Sequence, residues 1–223
     1  MDRWLSETEL KGDLVTLIPM TRTHRDAMVE AASDGKLWEL WYTAVPDANN
    51  IDAYINNALE DYAADKSLPF VVIENSSQKL IGSSRYLNAE RQHRRLEIGN
   101  TWYKSTAQKS GINTQCKLLM LSHAFETLNS VCVEFRTHWH NHPSRSAIMR
   151  LGAKQDGVLR NHQIDASGAH RDTVVFSIIE NEWQTPTLVN TYNLEQVKGI
   201  HRRKKCKIGK LEQKYFNLVV QEV

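Results

Sequence analysis

The hexapeptide Gln108-Lys109-Ser110-Gly111-Ile112-Asn113 is the stretch whose residue types and spacing point most directly to chemistry. A tight turn that carries a glycine and opens a helix leaves several backbone N–H groups without intrahelical partners. The helix dipole strengthens their pull on an anion. A strand-like run, Leu96-Glu97-Ile98-Gly99-Asn100-Thr101-Trp102-Tyr103, precedes the turn, and a strongly apolar segment over residues 114–128 follows it. Strand, turn and helix in that order are the setting of a phosphate-cradling turn. The hexapeptide has neither the Gly-Lys-Ser/Thr ending of a nucleotide triphosphate loop nor the repeated glycines of a dinucleotide loop. An ordinary strand-to-helix connection would carry one glycine as well. A second constellation is His138, His140 and His142. On an extended chain these alternate residues share one face, where three imidazoles could hold zinc and support metal-dependent hydrolysis. Pro143 follows at once, where a strand should be ending, and no carboxylate motif accompanies the histidines, so they read better as groove-flanking or surface residues.

The elements that must position these residues follow from periodicity. Leu14-Val15-Thr16-Leu17-Ile18, stopped by Pro19, is a first strand. A helix is expected to open at Thr21 or Thr23 and run to Ala32, and a second to span residues 48–64 with Ile51, Tyr54, Ile55, Ala58, Leu59 and Tyr62 as its core stripe. Residues 69–74 and 80–87 form a hairpin around a polar turn, residues 88–95 are a polar connection, and residues 96–103 return as a further strand. Strict alternation there places Leu96, Ile98 and Asn100 on one face, and Glu97, Gly99 and Thr101 on the other, away from apolar neighbours. The helix over 114–128 is apolar except for a strip of Gln115, Ser122, Glu126 and Asn129, so it should be covered on most sides. A strand over 131–137, a short helix over 143–151 closed by Gly152, and strands over 155–159 and 173–179 joined by a polar loop complete the pattern. Hairpin strands followed by alternating strands and helices predict an α+β fold on a mixed sheet.

Composition bounds the rest. The chain has 223 residues, 41% hydrophobic and 24% charged, enough for one sizeable domain and an appendage. No apolar run approaches the roughly 20 residues of a membrane span, and the first residues lack a signal peptide's apolar core, so the cytoplasm is the expected compartment. Cys116, Cys132 and Cys206 form no C-x-x-C pair, which argues against a disulfide framework or a cysteine zinc site. The first two read as buried small hydrophobes. Net charge is +2 but uneven: residues 184–223 hold eight Lys or Arg against three Glu, a net of +5, which leaves −3 for residues 1–183. The domain is therefore expected over 1–183, with a basic extension over 184–223. Within the extension, His201-Arg202-Arg203-Lys204-Lys205-Cys206-Lys207 is either a solvated segment or a contact for RNA, a ribosome or another acidic surface.

The turn at 108–113 resembles the acyl-CoA pyrophosphate signature of the GNAT N-acetyltransferase superfamily, Gln/Arg-x-x-Gly-x-Gly/Ala, with Asn113 in place of the last small residue. Leu10-Lys11-Gly12-Asp13-Leu14, Arg94-Arg95-Leu96-Glu97-Ile98-Gly99, Ser144-Arg145-Ser146-Ala147-Ile148 and Arg171-Asp172-Thr173-Val174-Val175 resemble the ribosomal-protein-alanine-acetyltransferase branch, in order, over residues 10–183. The resemblance implies a mixed, mostly antiparallel sheet with flanking helices and a splayed central strand pair, residues 96–103 and 131–137. It also implies acetyl-CoA as cosubstrate with no metal. Gln108, Lys109, Ser110, Gly111, Ile112 and Asn113 would hold the pyrophosphate and Asn141 the pantetheine. The acceptor it implies is a primary amine, on a protein N-terminus or a small molecule, attacking directly in a ternary complex. Glu97 then stands as the base that delivers it neutral, or else as a solvated strand residue or ion-pair partner of Arg94 or Arg95. Ser144 stands as the acid for the departing thiolate, or as a helix N-cap. Trp38, Trp41 and Tyr42 lie where relatives build the acceptor pocket, though packing on the sheet would use the same aromatics. An acyl-CoA-binding or interaction protein without turnover would fit the same fold. Monomer and homodimer both stay open.

Overall fold

The computed structural model describes residues 3–39, 43, 45–165 and 168–183, so Trp41, Tyr42, Cys206 and the basic extension lie outside the described residues. Eight strands form one sheet in the order β1-β2-β3-β4-β5-β6-β8-β7. They are β1 (Leu10–Lys11), β2 (Val15–Pro19), β3 (Leu68–Glu74), β4 (Lys79–Glu90), β5 (Arg95–Tyr103), β6 (Cys132–His138), β7 (Lys154–Ile164) and β8 (His170–Ile179). Every neighbouring pair is antiparallel except β5 and β6. Residues 104–131, which include a helix, supply the long crossover that this parallel pair requires. The helices are α1 (Arg25–Ser33), α2 (Ile51–Ala63), α3 (Ile112–Ser122), α4 (His142–Arg150) and the short α5 (Glu180–Trp183).

Helices cover both faces of the sheet. Met28, Ala31 and Ala32 of α1 and Ile51, Ile55 and Ala58 of α2 pack with Val71 and Trp102 in one buried cluster. On the opposite face the Tyr86 hydroxyl donates to the Met120 carbonyl of α3 at 2.6 Å. Gln115, expected on the polar strip of α3, is only 2% exposed: its side-chain oxygen accepts the N–H groups of Leu14 and Val15 at 2.7 and 3.0 Å. It binds the sheet edge rather than water. The helix expected over 114–128 is α-helical only to Ser122 and then widens over His123–Thr127, where the Leu128 N–H reaches the His123 carbonyl. Strands β7 and β8 are longer than expected, because the polar residues of β7 pair through their backbones with side chains in solvent.

The departure with most bearing on the site lies in β5. Ser83 pairs with Trp102 but Arg85 with Gly99, so Ser84 faces two residues, and Asn100 takes a left-handed φ of 46°. This bulge breaks the expected alternation. Glu97 and Gly99 face the α1–α2 side, as do Leu87 and Trp102, whereas Thr101 turns toward α3 with Ser84.

Candidate active site

Strands β5 and β6 pair only at Arg95–Cys132, Leu96–Val133 and Glu97–Glu134. Beyond that point β6 stays bound to β8 along its length, and β5 stays bound to β4. The two parallel strands therefore splay, and the edge of β5 over residues 98–103 is free on the side of β6. A free strand edge offers N–H and C=O groups to an extended, amide-bearing ligand.

Glu97 stands at the fork. It is 5% exposed, not solvated as its sequence position suggested, and its partners are not Arg94 or Arg95. Arg95 pairs instead with Glu90 at 3.2 Å and Glu134 at 3.4 Å. The Glu97 carboxylate accepts from Asn88 Nδ2 at 2.8 Å, and Arg136 Nε lies 3.5 Å away at ion-pair distance without a hydrogen bond. Burial pushes the carboxyl above its ordinary range, the Asn88 hydrogen bond and Arg136 oppose this, and Glu134 adds to it. Gly99 leaves the room: a Cβ there would stand 3.1 Å from Glu97 Oε1 and 2.9 Å from Leu87 Cδ1. A buried carboxylate with a raised pKa, at the mouth of a cleft, has the properties of a general base.

At its other end β5 leads through a single helical turn into residues 108–113. Lys109 and Gly111 both take left-handed φ, 59° and 84°, which only a glycine adopts freely. The Gln108 side chain donates to the Tyr103 carbonyl at 3.2 Å and the Ser110 hydroxyl to the Ala107 carbonyl, tying the turn to the end of β5. Ile112 is buried and anchors the start of α3. Among the described residues the N–H groups of Lys109, Ser110, Gly111, Ile112 and Asn113 have no backbone partner. The turn thus presents a run of free donors at a helix start, with the Lys109 ammonium exposed beside it.

Asn141, not Ser144, caps α4: its side-chain oxygen accepts the Ser144 N–H at 3.1 Å, with proline in the first turn. That use leaves the Asn141 amide N–H₂ and the half-buried Ser144 hydroxyl as the groups on offer at this helix start. The histidines do not share an extended face, because β6 ends at His138 and the chain turns. The His138 ring accepts the His140 N–H at 3.0 Å, while His142 already belongs to α4. Among the described residues no group of three His, Cys, Asp or Glu side chains is arranged to hold a metal ion. Trp38 packs half-buried against the α1–α2 cluster.

Sequence reasoning missed Asn88 and Arg136. The first was lost in a connection read as irregular, whereas β4 runs on to Glu90. Arg136 was legible in principle, since its spacing from Glu134 on one strand puts both on the face of Glu97. Cys132, read as buried, is partly exposed in a groove of about 440 Å³ that it lines with Arg95, Glu134, Arg136 and Asp156. The groove lies on the Glu97 side of β6 and β8, not at the 108–113 turn.

Comparison with known proteins agrees with this geometry. The chain matches the acetyltransferase (GNAT) domain family over residues 15–154. It is 25% identical over 148 residues, 65% of this chain and 79% of the relative, to a Bacillus subtilis (strain 168) protein named "Putative ribosomal N-acetyltransferase YdaF". The crystal structure of a GCN5-related N-acetyltransferase from Brucella melitensis superposes with a TM-score of 0.75 at 25% identity, covering 84% of this chain and 85% of that one. The ribosomal-protein-S5-alanine acetyltransferase of Vibrio fischeri shares the fold, with a TM-score of 0.65 at 15% identity over 80% of this chain and 100% of its own. With a splayed parallel pair, a donor-rich turn opening α3 and a family match across most of the sheet, the chain belongs to the GNAT acetyltransferase family.

Proposed function

We propose that this protein transfers an acetyl group from acetyl-CoA to a primary amine, the amine attacking directly while both substrates are bound. One observation carries the reading: β5 joins a fork holding a buried carboxylate to a turn of unpaired N–H groups, with a free strand edge between them. Residues 108–113 suit a pyrophosphate, the β5 edge suits the amide-bearing pantetheine arm, and the thioester end then falls at Glu97. The cosubstrate supplies an activated acyl group. Glu97 takes one proton from the incoming ammonium, and the amine nitrogen bonds to the acyl carbon as the C–S bond breaks. The second proton shed by that nitrogen passes to the thiolate, with the Ser144 hydroxyl as the proposed relay that gives one proton and takes one up. Nδ2 of Asn141 is free to hold the pantetheine. The names of the Bacillus and Vibrio relatives favour a protein N-terminus as acceptor, and Trp38, Trp41 and Tyr42 are the proposed acceptor-side aromatics.

The test is acetyl-CoA binding followed by turnover against peptide N-termini and small amines. Acetyl-CoA at 100 times its dissociation constant should stabilise the fold by about 2.7 kcal/mol. Gly111→Val, strained at a φ of 84°, should abolish that shift while the protein stays folded. Unchanged affinity in the variant would remove the turn from the site. Binding without turnover on any amine would favour a non-catalytic acyl-CoA-binding protein.

A further inference from the structure

On the face of β5 opposite Glu97, α3 buries a lysine. Lys117 is 6% exposed, and its Nζ donates to Ser84 Oγ at 3.1 Å and to Thr101 Oγ1 at 2.5 Å. Among the described residues it has no carboxylate partner. The Ser84 and Thr101 hydroxyls are 2.8 Å apart, and the Thr101 hydroxyl reaches the Gly99 carbonyl at 3.3 Å. A chain of donors thus runs from Lys117 through Thr101 to the carbonyl of the Gly99–Asn100 peptide. The N–H of that same peptide belongs to Asn100, the residue the bulge leaves out of register. Hydrogen bonds in such a chain polarise one another.

We infer that Lys117 is a positioning residue: through Thr101 it fixes the Gly99–Asn100 peptide, and with it the free edge of β5 that lines the cleft. The inference rests on the proposed function for its ligand, acyl-CoA. Packing alone does not account for the residue, since a methionine would fill the same space without a charge to desolvate.

The surroundings make the brace sensitive to pH. Burial pushes the Lys117 amine down to about 7, with a small opposing contribution from Cys116. The other ionisable groups on this side are Cys116, Tyr103 and Tyr86, all pushed up by burial, and His123, pushed down. The first three stay neutral through the physiological range. Arg85 lies across the sheet, its guanidinium over the Tyr54 ring, and Glu97 lies there too. Below neutrality Lys117 is a cation with three protons to give. Above it the amine has two and a lone pair, and the donor order along the chain is free to reverse. Acyl-CoA affinity should therefore weaken as pH rises through neutrality.

The experiment measures acetyl-CoA dissociation constants by calorimetry on the full chain from pH 6 to 8.5. It compares wild type, Lys117→Met and Thr101→Ser, with melting curves to establish that each is folded. The loss in Lys117→Met should be roughly tenfold at pH 6, the worth of one charge-assisted hydrogen bond, and should shrink toward pH 8.5. Thr101→Ser, which keeps the hydroxyl, should match wild type. The ionisations of acetyl-CoA itself cancel in the ratio. A ratio that is flat with pH, or equal to one, overturns the inference. Amide hydrogen exchange at residues 99–101 of the ligand-free protein separates the two levels of the argument. Faster exchange in Lys117→Met with no binding by wild type would sink the proposed function and leave the brace standing. Unchanged exchange would overturn the brace.

Discussion

Replacing Lys117 with methionine should make the protein more stable at neutral pH, and the gain should vanish in alkali. The amine falls from 10.5 to about 7 on folding because α3 and the sheet strip it of water. Each unit of such a shift corresponds to 1.36 kcal/mol, so the folded state carries a penalty of up to roughly 5 kcal/mol wherever both states are protonated. The sign follows from proton counting. Between about pH 7 and 10.5 the unfolded chain holds a proton that the folded chain has released, so stability rises with pH across that window. The full penalty remains below it and none above. Methionine carries no such penalty and fills a similar volume. It leaves no orphaned hydroxyl either, since Ser84 and Thr101 already bond each other at 2.8 Å. It does forfeit two hydrogen bonds, each worth about 1 kcal/mol net. The expected balance is a gain of about 2–3 kcal/mol at pH 6–7, read as an upward Tm shift of about 4–12 °C for a chain of this size. Urea titrations of both proteins from pH 6 to 10 should show the gap closing as pH rises. A variant less stable than wild type by the same amount at every pH would refute the reasoning, because Lys117 would then not be a penalised buried cation.

Three further outcomes are expected. Glu97→Gln should lower kcat by about 10²–10⁴-fold with little change in acetyl-CoA affinity. Activity that needs ionised Glu97 rises with pH through the carboxyl's raised pKa. Removing Arg136, 3.5 Å away, should move that acid limb up, while Glu134→Gln should move it down. Limbs that coincide in wild type, Arg136→Met and Glu134→Gln would dismiss Glu97 as the titrating base. Deleting residues 184–223 should leave small-amine turnover intact and reduce retention on RNA at low salt, with a shallower salt dependence than the full chain. Equal retention by both proteins would return the basic run to a solvated segment.

What was legible in the sequence was what repeats. Ile51, Ile55 and Ala58 recur at helical spacing and are buried on α2, and the run ending at Pro19 is β2. The order of elements and the donor turn at Gly111 were legible for the same reason: periodicity and glycine act within a few residues. The surroundings of Glu97 were not. Its true partners, Asn88 and Arg136, come from strands β4 and β6 on either side, and which residues meet across strands depends on registers and bulges that no local pattern reports. Gln115 was misassigned and Lys117 passed over for a related reason. On a helix covered on both flanks, polarity does not mark the outside; Gln115 serves the N–H groups of β2, and Lys117 serves hydroxyls on β4 and β5.

The inserted residue at Asn100 ties these failures to the site. With regular alternation Thr101 would share the face of Glu97, beside Gly99, and its hydroxyl would be turned away from α3. Lys117 would then lose its shortest contact, and a buried ammonium with one hydroxyl partner is too costly to keep. The same insertion takes Asn100 out of the β4 register, close to where β5 parts from β6. One extra residue thus does two things at once: it breaks the regular ladder beside the cleft and aims Thr101 at Lys117. Each half explains the cost of the other, since a peptide out of register gains from a brace, and a buried lysine needs a reason to be tolerated. This coupling also explains why Glu97 of β5 and Lys117 of α3, both buried, lie on opposite faces of the sheet instead of neutralising each other. Paired together they would form a structural salt bridge. Held apart by the sheet, each keeps a shifted pKa and stays available for the role proposed for it, Glu97 to take a proton and Lys117 to hold the backbone of β5.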